Sequence, residues 1–345
     1  MIPIIDMHCD TISIIHDRRR KGEDICLRRN ELHVDLEKMK AAGYMCQNFA
    51  LFTFLGPWLE GVGPYQGGGG AGAQFASPRE YALSLSDALD SELAANQDII
   101  RPVLSGSDIR KNFQEGKLSA LKTIEEGAVY EGSVERLKEF YDKGVRMTTL
   151  TWNFENELAF PNKIDWTNGE TVPDTVNGLK KAGKEIVAAC EELGILVDLS
   201  HLNDAGIYDV FDVTGGRTPI VASHSNARSV TGHCRNLTDD MLRRIADCGG
   251  LAGVNFCADF MNDRGDQMTR IEDILRHIHH MEQVAGIDAI GLGGDLDGIG
   301  NDLEFHNCGG MQLLAQALEK DGYSIDAIEK IFYKNVLRVY TDVLG

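Results

Sequence analysis

Short apolar runs rich in Val, Ile and Leu recur from one end of this chain to the other, and each is followed by an amphipathic stretch. That order argues for parallel strands buried on both faces and covered by helices. Runs near 2–6, 45–54, 120–124, 145–150, 195–199, 219–223, 251–255 and 289–292 supply eight such strands. A shorter run near 101–104 stands outside that count. Eight strand–helix repeats predict an α/β fold of the (β/α)8 TIM-like barrel type with loop insertions. Barrels of this kind commonly exceed about 250 residues, so all 345 positions are expected to form a single domain, 1–345.

Two helices are well signalled. Ser77-Pro78-Arg79-Glu80 is a capping box with proline at the first helical position, opening a helix to about Asn96. From Thr175 to Leu193, the residues Leu179, Ile186, Cys190 and Leu193 form one apolar stripe, and Gly194 follows as a stop. A third stretch has its stripe at Ile271, Ile274, Leu275 and Ile278, which assigns His277, His279 and His280 to a solvated face. His16, His33 and His306 fall in apparent loops. The segment 61–76, with Gly67, Gly68, Gly69 and Gly70, is irregular. It reads as an insertion after the second strand or as a lid beside the active end; no Gly-Lys-Ser/Thr follows to make it a phosphate loop.

Composition narrows the function. Formal charge is −19, which argues against nucleic acid and against anionic membrane surfaces. The basic run Arg18-Arg19-Arg20-Lys21 and the pair Arg28-Arg29 read as solvated loop charges. The first strand begins at once, leaving no room for a leader peptide, and no apolar stretch approaches the roughly 20 residues of a membrane span. Cytoplasmic localisation is the resulting expectation. Eight cysteines are spread out with no C-x-x-C pair, so reduced, mostly buried thiols are expected.

The chemistry lies where the apolar runs stop. Ile4-Ile5-Asp6-Met7 leads into His8-Cys9-Asp10, and Leu121-Lys122-Thr123-Ile124 into Glu125. The strand of Ile195 leads to His201, that of Pro219 to His224, and that of Ile290 to Asp295. Such strand ends form the active face of a (β/α)8 barrel. Imidazoles and carboxylates suit a catalytic divalent metal that keeps a position open for water. His8 and Asp10, two apart, are expected on one strand face, with Cys9 turned into the strand–helix layer. His8 and Asp10 would hold one metal, and His201 and His224 a second. Glu125 would bridge them, and the pair would acidify a shared water to hydroxide near neutral pH.

These residues resemble the membrane (renal) dipeptidase family, the binuclear-zinc dipeptidases (peptidase family M19) of the amidohydrolase-type barrels. The resemblance rests on six segments. They are Asp6-Met7-His8-Cys9-Asp10-Thr11, Ile124-Glu125-Glu126-Gly127, Asp198-Leu199-Ser200-His201, Ser223-His224-Ser225-Asn226-Ala227, Arg235-Asn236 and Gly293-Gly294-Asp295-Leu296-Asp297-Gly298. They occur in the family's order over essentially the whole chain. The resemblance implies two zinc ions on His8, Asp10, Glu125, His201 and His224. It implies Asp295 as proton carrier between the nucleophile and the departing amine. It gives Arg235 the free carboxylate of a dipeptide, and extends the substrates to dipeptides with a C-terminal D-residue. It further implies a soluble bacterial-type member whose partners are a small dipeptide and, in a homodimer, a second copy.

One departure stands out. Better-known members carry a histidine after the fourth strand that polarises the scissile carbonyl; here Trp152 stands in that place and Asn153 follows. An indole N–H donates one hydrogen bond and carries no charge. Asn153 is the alternative donor for substrate. The substitution keeps open a different amidohydrolase-type reaction, on an N-acyl amino acid, a lactone or another amide.

Overall fold

The computed structural model describes residues 1–59, 70–165 and 170–345. Eight parallel strands close into a barrel in chain order: β1 (Ile4–Asp6), β2 (Tyr44–Phe52), β3 (Leu118–Glu125), β4 (Val145–Thr149), β5 (Leu196–Asp198), β6 (Val221–Ala222), β7 (Leu251–Val254) and β8 (Ile290–Leu292). The pairing of Asp6 with Leu292 shuts the ring. The strands expected from the apolar runs are all present, shorter by a residue or two at several ends. The extra strand Ile100–Pro102 pairs with the start of β3, on the edge that β4 occupies further along.

Register decides what meets at the mouth. Phe52 lies opposite Glu125, Glu125 opposite Thr149, and Thr149 opposite Asp198. Beneath this row the lumen is filled by Ile5, Met7, Met45, Leu121, Met147, Leu196, Val221 and Leu251. Each such side chain contributes roughly 1.5–3 kcal/mol on full burial. The C-terminal helix Asn335–Leu344 plugs the far end with Val336, Val339 and Tyr340, and Tyr340 Oη accepts from Asn48 Nδ2 at 2.6 Å. The barrel therefore opens only at the carboxyl ends of its strands. A Cβ on Gly253 or Gly293 would run into the Ser223 carbonyl. Glycine there lets β6, β7 and β8 approach closely, and with them the strand ends that carry His224 and Asp295.

The helix Pro78–Ala95 forms as its capping box predicts, with Ser77 Oγ accepting from Glu80 N at 3.2 Å. The helix expected from Thr175 begins instead at Lys181 and runs to Leu193, with Gly194 in the left-handed conformation (φ 69°). Two carboxylates hold residues 176–179 off the helical path. Asp174 Oδ1 accepts from the backbone of Val176 and Asn177, and Asp209 Oδ2 accepts from Leu179 N at 2.7 Å. Side-chain oxygens of this kind offer the backbone an alternative to helix.

His277 is not on a solvated face. It is fully buried, facing Ala227 N with Nδ1 and the Met261 carbonyl with Nε2. The helix Ile271–Ala285 buries Ile274, His277, Ile278 and Met281, so its stripe is rotated from the expected one. His279 and His280 lie off that stripe and pair with Asp321 and Asp239. His16 lies in the helix Thr11–Arg20, not in a loop, and Arg18 to Arg20 form that helix's last turn, where cations suit the dipole. Of the irregular segment 61–76, residues 61–69 lie outside the described residues, and the lid reading with them. All eight cysteines are unpaired among the described residues. Among the described residues no helix is long and apolar enough to cross a membrane.

Candidate active site

Six of the side chains singled out above converge at the mouth of the barrel. His8 Nε2 lies 3.4 Å from Asp10 Oδ2 and 3.2 Å from Glu125 Oε2. His201 Nε2 and His224 Nε2 lie 3.1 and 3.6 Å from the other oxygen, Glu125 Oε1. The Asp295 Oδ1 atom is 3.9 Å from His8 Nε2. All six residues are buried or nearly so. Ligand atoms of His8, Glu125 and His224 fall within 4.8 Å of one another, as do those of His8, Asp10 and Asp295.

Strand alternation alone does not bring His8 here. Ile5 and Met7 belong to the lumen, so a regular strand would turn His8 toward the helices. β1 ends at Asp6, and Asp6 Oδ1 accepts the His8 N–H at 3.1 Å, turning the chain inward. Cys9 does pack on the helix side, as expected. His201 is placed by a similar irregularity, a left-handed backbone at φ 68°. Asp10 precedes the helix Thr11–Arg20 and has the residue type of an N-cap, yet its side chain makes no capping bond. Among the described residues its Oδ1 has no hydrogen-bond partner, and Oδ2 faces His8.

Tautomers are set from behind. His224 Nδ1 faces Ser223 Oγ at 2.7 Å, and that hydroxyl donates to Asp198 Oδ2 at 2.5 Å. His201 Nδ1 faces Asn153 Oδ1 at 3.1 Å. Both acceptors require a proton on Nδ1, which leaves both Nε2 atoms bare. Those two lone pairs face each other at 3.0 Å. Burial, with Arg235 adding to it, holds His201 down to about 3, and burial beside His8 holds His224 well below its usual range. Neutral imidazoles with facing lone pairs are a metal-ligating arrangement.

The acids carry the opposite tension. Burial and then the neighbouring Glu125 push Asp10 up to about 8. Burial pushes Asp295 to about 6. Burial also opposes charge on Glu125, yet His8 and His201 hold that carboxyl below the usual range. His8 is the exception among the imidazoles: against burial, Glu125 and Asp10 push it well above its usual range. A cluster of buried carboxylates, two neutral imidazoles and a third whose proton a metal would displace, with ligand atoms 3.0–3.6 Å apart, fits divalent ions ligated at about 2.0–2.2 Å. The residues present therefore suit the metal.

A cavity of about 240 Å³ opens onto this cluster, lined by Asp10, Glu125, His201 and Asp295 on its floor. Phe52 and Trp152 form one wall; His233, Arg235 and Phe260 form another. The volume falls below the roughly 300–1,000 Å³ of drug-sized pockets and suits a molecule of two residues. A larger groove of about 1090 Å³, bordered by His33, Arg270, Glu304 and His306, shares no residue with the ligand cluster. Size does not mark the site here; chemistry does.

Arg235 is almost entirely buried, and its Nε has no partner among the described residues. Nη1 donates to Ser225 Oγ and Nη2 to the His224 carbonyl, both at 3.3 Å. Among the described residues no carboxylate reaches ion-pair distance of it. Trp152 stands on the cavity wall, with its ring 5.2 Å from Phe52 and 5.8 Å from His201. Its backbone N–H donates to Glu126 Oε2 at 2.9 Å, which fixes the loop after β4 against the end of β3. Asn153 lines the cavity as well, with its carbonyl oxygen turned to His201.

The model of the membrane dipeptidase family (Peptidase family M19) matches residues 1–344. The chain belongs to that family. Its members are metallopeptidases, and this chain is a metal-dependent dipeptidase of that family. Among solved structures, the dipeptidase AC, an M19 metallopeptidase, is 28% identical, with a TM-score of 0.87 over 100% of this chain and 99% of that one. A metallopeptidase from Rhodobacter sphaeroides, liganded with a phosphinate mimic of L-Ala-D-Ala, is 26% identical. Its TM-score is 0.86, covering 99% of each chain. A Schizosaccharomyces pombe protein named as an uncharacterized dipeptidase is 34% identical over 232 residues, 65% of this chain and 53% of that protein. The match thus spans about half of the yeast protein.

Sequence reasoning passed over four residues that support this cluster. Asp198 and Ser223 hold His224; Glu126 holds the Trp152 loop; Asn255 donates from Nδ2 to Asp295 Oδ2 at 2.9 Å. A signal existed for two of them. A strand buried on both faces reads as a near-continuous apolar run, and Asp198 and Asn255 interrupt or end such runs.

Proposed function

We propose that this M19 chain cleaves dipeptides with two divalent ions, zinc by ligand type, one held by His8 and Asp10 and the other by His201 and His224, with Glu125 between. The carrying observation is the division of Glu125: Oε2 faces His8, and Oε1 faces His201 and His224. Bound there, such ions supply a water acidified to hydroxide near neutral pH and Lewis-acid stabilisation of the carbonyl oxygen.

The chain's own groups do the rest. Asp295, held by Asn255, takes the proton of the attacking water and returns it to the departing amine. Arg235, buried without a carboxylate partner among the described residues, binds the substrate's terminal carboxylate through its fork. Recognition of the free carboxylate by Arg235 limits substrates to two residues. Phe52 and Trp152 shield the reacting carbonyl from bulk water. The phosphinate mimic of L-Ala-D-Ala on the Rhodobacter relative supports including L,D dipeptides among the substrates.

An N-acyl amino acid is the second reading, because Trp152 offers an apolar wall where a charged donor is expected and Arg235 would still find a carboxylate. The test is Asp295→Asn on zinc-reconstituted protein with L,L and L,D dipeptides and N-acyl amino acids. Retained metal with turnover reduced by at least about 10²-fold supports the assignment. Wild-type turnover in that variant, or cleavage confined to N-acyl substrates, overturns it.

A further inference from the structure

Arg235 projects from a loop that lies outside the barrel strands. Residues 228–237 leave the end of β6 and return to it, closed by Arg228 N donating to the Leu237 carbonyl and Leu237 N donating to the Asn226 carbonyl, both at 2.8 Å. Inside this loop one side chain makes an unusual number of contacts. Arg228 Nε donates to the Asn236 carbonyl at 2.8 Å, and Nη2 donates to the Cys234 carbonyl at 3.0 Å. Those carbonyls belong to the residues on either side of Arg235. The same guanidinium forks onto Asp204, with Nη1 to Oδ2 and Nη2 to Oδ1 both at 2.7 Å.

Asp204 is a fixed point. It is the first residue of the helix Asp204–Thr214, where a carboxylate suits the positive end of the dipole. It lies three residues after His201, on the chain segment that leaves the metal cluster. The pair is shielded, its side chains 17% and 10% exposed, so the bidentate geometry escapes most of the solvent screening that weakens surface pairs. Arg228 thus ties the backbone around Arg235 to the segment that carries a metal ligand.

We propose that Arg228, anchored by Asp204, is a positioning residue that sets the distance between Arg235 and the metal cluster, and so gauges the span from a dipeptide's scissile carbonyl to its terminal carboxylate. The inference rests on the reading of Arg235 given above. Arg228 touches no substrate. Its whole effect passes through Arg235, and that makes it separable from a general structural role.

The experiment is a double-mutant cycle on metal-loaded protein, with L-Ala-L-Ala and its carboxyl-amidated counterpart as probes. Arg228→Ala is expected to raise KM for the free dipeptide about tenfold or more, as loss of charge-assisted contacts implies. Turnover at saturation and metal content should stay near wild type, and the amidated probe should respond little. In an Arg235→Ala background, adding Arg228→Ala should change KM hardly at all. Arg228→Lys and Asp204→Asn serve if the alanine variant folds poorly: an ammonium cannot span two carbonyls and a carboxylate, so both should raise KM in the same direction. If Arg228→Ala raises KM equally with or without Arg235, or affects both probes alike, the positioning role is wrong while the Arg235 reading stands. If Arg235→Ala itself leaves KM for L-Ala-L-Ala unchanged, the carboxylate reading falls first and the inference with it.

Discussion

Ser223→Ala removes one oxygen that serves two buried groups at once. Its hydroxyl sits 2.7 Å from His224 Nδ1 and donates to Asp198 Oδ2 at 2.5 Å. Without it His224 loses the acceptor of its Nδ1 proton and can turn an Nε2–H toward His201 Nε2, 3.0 Å away. Loss of such an outer partner costs about 10–100-fold in metal affinity. Global stability should change far less. Asp198 keeps Thr149 Oγ1 at 2.7 Å, and one buried hydrogen bond is worth roughly 1 kcal/mol, or about 2–4 °C in Tm for a large domain. The assay is competition for zinc against a chromophoric chelator, starting from stripped protein. Ser225→Ala is the control: Ser225 Oγ faces Ser200 Oγ and Arg235, and no imidazole. An unchanged zinc affinity in Ser223→Ala, or an equal loss in Ser225→Ala, would refute the idea that the serine sets the tautomer.

Two further outcomes follow from the charges and the steric limits of the cluster. Asp10 is pushed up to about 8 by burial and Glu125, so at pH 7 the metal-free protein holds a proton there that a ligand must give up. Zinc added to stripped protein at pH 7 should release at least about one proton, measured by calorimetry in two buffers of different ionisation enthalpy; no release would contradict the burial argument. The sign for stability is the reverse of a salt-bridged acid. The folded metal-free state binds more protons than the unfolded state between about pH 4 and 8, so this group destabilises it increasingly as pH rises. Finally, a methyl at Gly298 would press on Asp10 Oδ2 and Asp295 Oδ1 together. Gly298→Ala should lower kcat/KM by about 10²-fold through misplaced carboxylates while the melting temperature stays within a few degrees; full activity would mean the two acids have freedom that their burial denies.

Much of this centre is legible because a buried parallel strand must be apolar and an active barrel strand must stop being so. Glu125, His201, His224 and Asp295 each stand at such a break. His8 is the exception. Period-two alternation would turn it outward, and only the early end of β1 and the Asp6 carboxylate bring it in. His277 misled because its stripe was counted from four aliphatic positions, whereas the buried face runs through Ile274, Ile278 and Met281 and takes the histidine along. Its ring finds partners in Ala227 N and the Met261 carbonyl, and no periodicity reveals partners so distant in the chain. The late start of the helix at Lys181 has the same origin: Asp209, thirty residues on, captures the Leu179 N–H. The hold of Asn153 on His201, and the whole role of Arg228, were illegible for a related reason. Each acts through a contact made across a loop.

The backbone at the mouth shows why these contacts had to be built around the ligands. Glu126, His201, Asp295 and Asp297 all have positive φ, at 98°, 68°, 56° and 70°. Non-glycine residues held there cost on the order of 1–3 kcal/mol each. Glycine would relieve the backbone at every one of these positions and remove the carboxylate or imidazole that the site requires. The strain therefore has to be offset nearby, and side-chain hydrogen bonds do so at two of the four. Glu126 accepts from Trp152 N and Ala128 N; Asp297 accepts from Thr11 Oγ1 and His33 N, both at 2.6 Å. Asp297 thus pins the turn after β8 to the first helix, while Asp295, two residues earlier, points into the cavity. A bound metal would relieve the repulsion among Asp10, Glu125 and Asp295, but it would do nothing for the backbone. Removing metal should accordingly leave the mouth strained but in place, because its geometry is held by hydrogen bonds to the barrel and not by the ions.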